Sequence, residues 1–180
     1  MATIYSIGHG ARDPDDFVTL LKAAGIERLV DVRAVPRSRR HPQFGYGPLG
    51  ARLEAEGLRY EWRGRELGGL RRAGDANRHT GLAVPAFRAY AEHMEGAPFR
   101  AAAEALVQMA DAGPVCMMCA ERDPAHCHRS LIADWLVAQS HRVIHLLDGG
   151  GRREHAMHPA VRRAGTVLHY TDRTRQGELF

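Results

Sequence analysis

Five short apolar runs, separated by longer amphipathic or irregular segments, constrain this chain more than any other feature of its sequence. The runs lie at residues 3–7, 28–32, 58–62, 115–118 and 142–147. Their length and their content of Ile, Val, Leu and Tyr fit strands. After the first run, Asp13 and Pro14 open a helix that reaches residue 24, with Asp13 capping the free amides and Pro14 in the first turn. Phe17, Leu20, Leu21 and Ala24 recur at helical spacing, and Gly25 ends the segment. Further helices are predicted at residues 49–56, 84–95, 98–112 and 130–137. Strands joined by connections this long run parallel. The pattern predicts a single three-layer α/β domain over residues 1–170, with a mostly parallel five-stranded sheet and right-handed crossovers. Long basic loops are expected at the strand C-terminal edge, and residues 171–180 are expected to form a flexible tail.

The densest chemistry falls at the fourth strand-to-helix junction, Cys119-Ala-Glu-Arg-Asp-Pro-Ala-His-Cys-His-Arg129. Two thiols, two carboxylates, two imidazoles and two guanidiniums stand within eleven residues. In an open α/β sheet this edge binds ligands, and a helix N-terminus there favours anions. The same edge is expected to collect His9 after strand one, Asp31 and Arg33 after strand two, and His145 on strand five. Asp31 and Glu121 are then a candidate carboxylate pair, one activating water while the other, or a histidine, serves the leaving group. Such pairing suits glycosidic cleavage. The competing reading of Asp31 is an ion pair with Arg33 or Arg129 that fixes the loop.

Cys119 or Cys127, near a helix N-terminus and beside His128, is a candidate nucleophile. Free cysteine is also commonly a small buried hydrophobe. A metal set of Cys119, Cys127, His128 and a remote histidine is weakly spaced, and Cys116 and Cys119 should face opposite ways on a strand. No metal is expected. No Gly-x-Gly-x-x-Gly or Walker loop is present, so no nucleotide cofactor is expected either.

Two irregular stretches, residues 33–47 and 64–82, interrupt the pattern. The first holds Arg33, Arg37, Arg39 and Arg40 with Ser38, Phe44 and Tyr46. Cations interleaved with rings suit a nucleic-acid strand. Phe44 and Tyr46 sit among glycines and are expected outside the core; a solvated cover loop is the plainer alternative. The net charge is +4, and of 25 Lys and Arg residues only Lys22 is lysine. Guanidinium pairs bidentately with phosphate, although a GC-rich genome raises arginine as well. No apolar stretch approaches the roughly 18 residues of a membrane span. The N-terminus lacks a basic leader, and three cysteines suit a reducing compartment, so a cytoplasmic protein without membrane contact is expected.

The pieces Ile4-Tyr-Ser-Ile-Gly-His9, Asp31-Val-Arg33 with Pro36 and Ser38, Pro42-Gln-Phe44, Leu67-Gly-Gly69, and Cys119-Ala-Glu121 with Cys127-His-Arg129 resemble the family called domain of unknown function 488. The resemblance covers nearly the whole chain. It implies an α/β domain that gathers His9, Asp31, Arg33, Ser38, Glu121, Cys127, His128 and Arg129 into one pocket, and it assigns no activity. The last five residues, Gln176-Gly-Glu-Leu-Phe180, are similar to the peptide by which bacterial DNA polymerases and repair proteins hold the sliding clamp. Gln176, Leu179 and Phe180 match its anchors, and Gly177 departs from it. The competing reading packs Phe180 back on its own domain.

These readings converge on a DNA-processing hydrolase that removes a damaged or modified base by N-glycosidic cleavage, the base being flipped into the cleft. Asp31 or Glu121 would activate water, His9 and His128 would move protons, and Cys127 stands beside them as a further catalytic candidate. Arg33, Arg37, Ser38, Arg39 and Arg129 would hold the strand, with Phe44 or Tyr46 stacking or wedging. DNA and, through the tail, the sliding clamp are the expected partners. The alternatives are a cysteine-dependent sulfur or acyl transferase acting on a small molecule, and a non-catalytic nucleic-acid-binding module.

Overall fold

A computed structural model describes residues 1–172 except 73 and 76. Residues 3–8 form β1 (Thr3–Gly8), followed by helix α1 (Pro14–Ala23) and β2 (Arg28–Asp31). Next come α2 (Tyr46–Ala55), β3 (Arg59–Trp62) and a single turn, α3 (Gly64–Leu67). Helices α4 (Pro85–Met94) and α5 (Ala97–Ala112) lead to β4 (Val115–Cys119), α6 (Arg129–Ala138) and β5 (Arg142–Leu146). Three short strands follow, β6 (Arg152–Glu154), β7 (Val161–Ala164) and β8 (Val167–Tyr170). Among the described residues, no helix is long and apolar enough to cross a membrane.

The sheet has six strands in the order β3-β2-β4-β1-β5-β6, not five. The first five run parallel, and β6 adds an antiparallel edge to β5. Strand β6 is Arg-Arg-Glu, exposed, so it carries no apolar signal; its ladder to β5 holds it, with surface contacts such as Arg142–Glu154 beside it. β7 and β8 form a separate hairpin turning at Gly165, whose φ of 63° needs a residue without Cβ.

Two apolar clusters sandwich the sheet. On one face Phe17, Val18 and Leu21 of α1 and Leu49 and Leu53 of α2 pack on Ile7, Leu29, Cys116 and Met118. On the other, Tyr90 of α4, Phe99 and Leu106 of α5 and Leu131 and Trp135 of α6 pack on Ile4, Val30, Val115 and Met117. Strand β4 is buried throughout, as a central parallel strand must be. Helix α2 begins three residues before its predicted start, at Tyr46, because Gly45 is extended and the amide of Leu49 reaches the Gly45 carbonyl.

The topology fixes where a ligand can sit. Strand β4 lies between β1 and β2, and α1 and α2, which come after β1 and β2, pack on one face. The helix after β4, α6, packs on the other. The chain therefore departs in opposite directions at the C-terminal end of β4, which opens a crevice there.

Candidate active site at the end of β4

Cys119 closes β4, and the chain then passes over the end of β1. The amides of His9 and Gly10 donate to the carbonyls of Cys119 and Ala120 at 2.9 and 2.8 Å. Gly8 permits this approach: a Cβ there would stand 1.8 Å from the Glu121 carbonyl oxygen. Asp123 caps a short turn by accepting from the Ala125 amide, and α6 then starts beside Cys127 and His128.

Cys119, Cys127 and His128 meet here, all three buried. His128 Nδ1 lies 3.8 Å from the Cys119 sulfur and 3.7 Å from that of Cys127. Its Nε2 donates to the Val32 carbonyl at 3.0 Å, which fixes the tautomer and leaves Nδ1 of the neutral ring bare toward the sulfurs. Gly69 borders the same nitrogen, where a Cβ would come within 2.6 Å of Nδ1. Arg129, fully buried, donates its backbone amide and Nε to the Cys127 sulfur at 3.5 and 3.4 Å. Its remaining nitrogens reach the Ser6 hydroxyl at 3.0 Å and the Glu121 carbonyl at 2.6 Å. Burial opposes ionisation of Cys127 but is outweighed by the hydrogen bond from Cys119 and by the charge of Arg129, so this thiol is held well below its ordinary pKa. Cys119, hydrogen-bonded to Cys127 and buried, is pushed well above its own. The two sulfurs titrate as a pair in which Cys127 is the more acidic.

A cavity of about 300 Å³ opens beside this cluster. It is lined by Arg33, Val35 and Arg37, by Gly69, Leu70 and Phe87, and by Cys119, Glu121, His126, Cys127 and His128.

Asp31 lies elsewhere. Side chains alternate along a strand, so Asp31 shares its face with Leu29 and points toward α1 and α2, away from the thiols. Arg33 Nε is 2.9 Å from its Oδ1 and Arg33 Nη2 is 2.6 Å from its Oδ2, the Arg33 amide adds a third bond at 3.0 Å, and the Tyr60 hydroxyl donates to Oδ2 at 2.6 Å. The ion-pair reading of Asp31 is the one the geometry takes up, with Arg33 as partner. Glu121 is exposed and lines the cavity, so the two carboxylates do not form the expected pair. His9 belongs to the Asp31 side. It lies 3.2 Å from Arg33 Nη1 and stacks on Phe44 at 4.5 Å between centroids. Burial foremost, then the nearby Arg33 charge, lowers its pKa to about 4.

Phe44, expected outside the core, is buried against His9 and Phe17, and its carbonyl accepts from Arg33 Nη2 at 2.8 Å. The turn at residues 42–44 bonds its own backbone, which lets a glycine-flanked ring enter the core. Tyr46 is exposed and leans on Tyr60, and it does not line the cavity. Ser38 accepts from the His41 amide and so shapes the loop. Arg129 points inward, so it holds the loop and the Cys127 sulfur rather than facing a ligand. Arg37 and Arg39 are exposed, as is Arg40, and none of the three makes an ion pair or side-chain hydrogen bond among the described residues. Sequence reasoning missed Phe87, the cavity's aromatic wall, because at helical spacing it reads as an ordinary core-facing residue. Gln176, Leu179 and Phe180 lie outside the described residues.

The fold and site define a doubly wound α/β protein with a cysteine–histidine centre at the switch point of its sheet. The chain belongs to the family described as domain of unknown function DUF488, whose model matches residues 13–136. Comparison with curated proteins and with solved structures found no match.

Proposed function

We propose that the protein is a hydrolase acting on DNA, cleaving the N-glycosidic bond of a damaged or modified nucleotide whose base enters the cavity. One observation carries this reading: Glu121 is the only carboxylate among the cavity-lining residues, and it shares the cavity with Arg33 and Arg37. A carboxylate there can take a proton from water, and the exposed guanidinium of Arg37 can hold phosphate or the departing base, since that of Arg33 is spent on Asp31, His9 and the Phe44 carbonyl. A cavity of about 300 Å³ admits a base and not a duplex, so the base must leave the stack. Phe87 and Leu70 offer it apolar walls. The uncompensated Arg37, Arg39 and Arg40 suit the flanking phosphates. Asp31 is a positioning residue in this reading: by tying down the Arg33 side chain behind the sheet it fixes the start of the loop that carries Arg37. By its similarity to clamp-binding peptides, the tail with Gln176, Leu179 and Phe180 would dock the enzyme on the sliding clamp.

The test uses end-labelled duplexes, each with one modified base, incubated with the protein and heated in alkali. Alkali-dependent breaks at the marked base that vanish in Glu121→Gln are expected. Breaks that persist unchanged in Glu121→Gln would remove that residue from the chemistry, and no breaks across a broad panel would reject the reading.

A second reading has its own observation. The two Arg129 donors on the Cys127 sulfur suit a nucleophilic thiolate, and hence sulfur or acyl transfer to a small anion. It predicts rapid alkylation of Cys127 alone and no turnover in Cys127→Ser.

A further inference from the structure

We infer that Cys119, Cys127 and His128 form a binding site for one zinc ion, with its fourth coordination position open to the cavity. The inference does not depend on DNA being the substrate.

Three features of the geometry point to it. The first is spacing: the two sulfurs and Nδ1 all lie within 4.8 Å of one another, and the sulfur–nitrogen separations are 3.7 and 3.8 Å. Bonds of about 2.3 Å to sulfur and about 2.0–2.1 Å to nitrogen, at tetrahedral angles, put those atoms about 3.6 Å apart. The second is orientation. Nε2 of His128 is spent on the Val32 carbonyl, so the nitrogen facing the sulfurs is the bare one, the arrangement that metal-bound histidines use. Gly69 keeps the space beside that nitrogen clear of a side chain. The third is access: all three residues line the cavity, so the remaining corner of the tetrahedron faces a space open to water. Two soft thiolates and an imidazole select zinc over harder ions. Three protein ligands with one open position are the pattern of a catalytic rather than a structural zinc site. A zinc-bound water in this cavity would have a lowered pKa, with Glu121 on the same wall to accept its proton.

The other cluster of potential ligands, His79, Glu95 and His169, lacks this freedom. His79 Nδ1 accepts from the Tyr170 amide at 3.3 Å, so the His79 proton sits on Nε2 and is donated to Glu95 at 3.0 Å. Arg78 also pairs with Glu95. That cluster satisfies itself.

Cobalt(II) reports on the site directly. The untagged full-length protein is stripped with a chelator under reducing conditions, titrated with cobalt(II), and then with zinc. One equivalent is expected to produce the strong visible bands of a tetrahedral ion and a sulfur-to-cobalt charge-transfer band, both bleached by zinc. Cys116→Ser, on the opposite face of β4, should keep both bands; Cys119→Ser and Cys127→Ser should each lose most of the charge-transfer intensity. The unaltered protein supplies a control against misfolded variants: zinc should slow alkylation of Cys119 and Cys127 at least tenfold, read by peptide mass spectrometry. Octahedral cobalt spectra, bands that survive in both cysteine variants, or alkylation of Cys127 indifferent to zinc would overturn the inference. A tetrahedral cobalt site with no base excision would uphold it while rejecting the DNA reading.

Discussion

The imidazole of His128 donates to the carbonyl of Val32 at 3.0 Å across 96 residues of chain. This bond ties the start of α6 to the end of β2 and sets which ring nitrogen faces the two sulfurs. Removing it in His128→Ala leaves the Val32 carbonyl without its partner in a buried place. A loss of about 1–3 kcal/mol is expected in metal-free protein, measured by urea unfolding.

Asp31→Asn separates a positioning role from a catalytic one. The change leaves Arg33 buried beside a neutral amide, so a loss of about 3–5 kcal/mol is expected by denaturant unfolding. A double variant, Asp31→Asn with Arg33→Met, should recover part of that loss because the stranded charge is gone. If Asp31→Asn left stability intact and abolished activity alone, the positioning role would be wrong.

Gly69→Ala should spare the fold and damage the site. The added methyl would fall 2.6 Å from His128 Nδ1, so the ring must move from the sulfurs. We expect a melting temperature within a few degrees of the unaltered protein, together with at least a tenfold fall in base excision and in cobalt affinity. Unchanged cobalt affinity would show that the ring has room to yield.

The rim arginines can be counted by salt. If Arg37, Arg39 and Arg40 each neutralise one phosphate, every change to Ala should reduce the slope of log affinity against log salt by about 0.7–0.9, depending on whether the contacted strand is single or double. Fluorescence anisotropy with a labelled oligonucleotide gives that slope. Equal slopes in the triple variant and the unaltered protein would place DNA elsewhere or nowhere.

His145 makes stability depend on pH. Burial first, then the neighbouring His155 and Arg129, lower its pKa to about 3, and its Nδ1 has no hydrogen-bond partner among the described residues. The unfolded chain protonates this histidine near pH 6.5, while the folded one stays neutral down to about 3. Stability should therefore fall as pH drops through that window, by up to about 1.4 kcal/mol per pH unit from this group. His145→Gln should flatten the dependence measured by urea unfolding at a series of pH values; an identical slope would acquit His145.

The sheet, its parallel sense and the strand edge that carries the candidate site were legible because they rest on periodicity and on where strands end. The runs holding Leu29, Val115 and Val143 are unmistakably strands. Strand β6 was not legible, since an exposed edge strand needs only backbone partners, and Arg152 and Arg153 resemble a solvated tail. Within the site, the residue types at Cys119, Cys127 and His128 were plain, but their meeting was not: it depends on a turn that brings Cys127 back beneath the end of β4. Asp31 and Glu121 looked alike in sequence because each lies near the C-terminal end of an apolar run. Strand parity separates them, and parity at the end of a strand depends on the residue at which the pleat stops. Phe44 was misread for a similar reason, since a ring between Gln43 and Gly45 carries no periodic signal of burial.

The position of β4 between β1 and β2 has a consequence for how the protein is made. The first hundred residues emerge from the ribosome with β1, β2 and β3 present, but only β2 and β3 can form a native ladder, and β1 cannot join them until residues 115–119 fill the gap. The thiols of Cys119 and Cys127 arrive with that last piece. Nascent chains halted before residue 115 should remain protease-sensitive and unfolded, and the cysteine–histidine cluster should come into being only in the same cooperative step that closes the sheet.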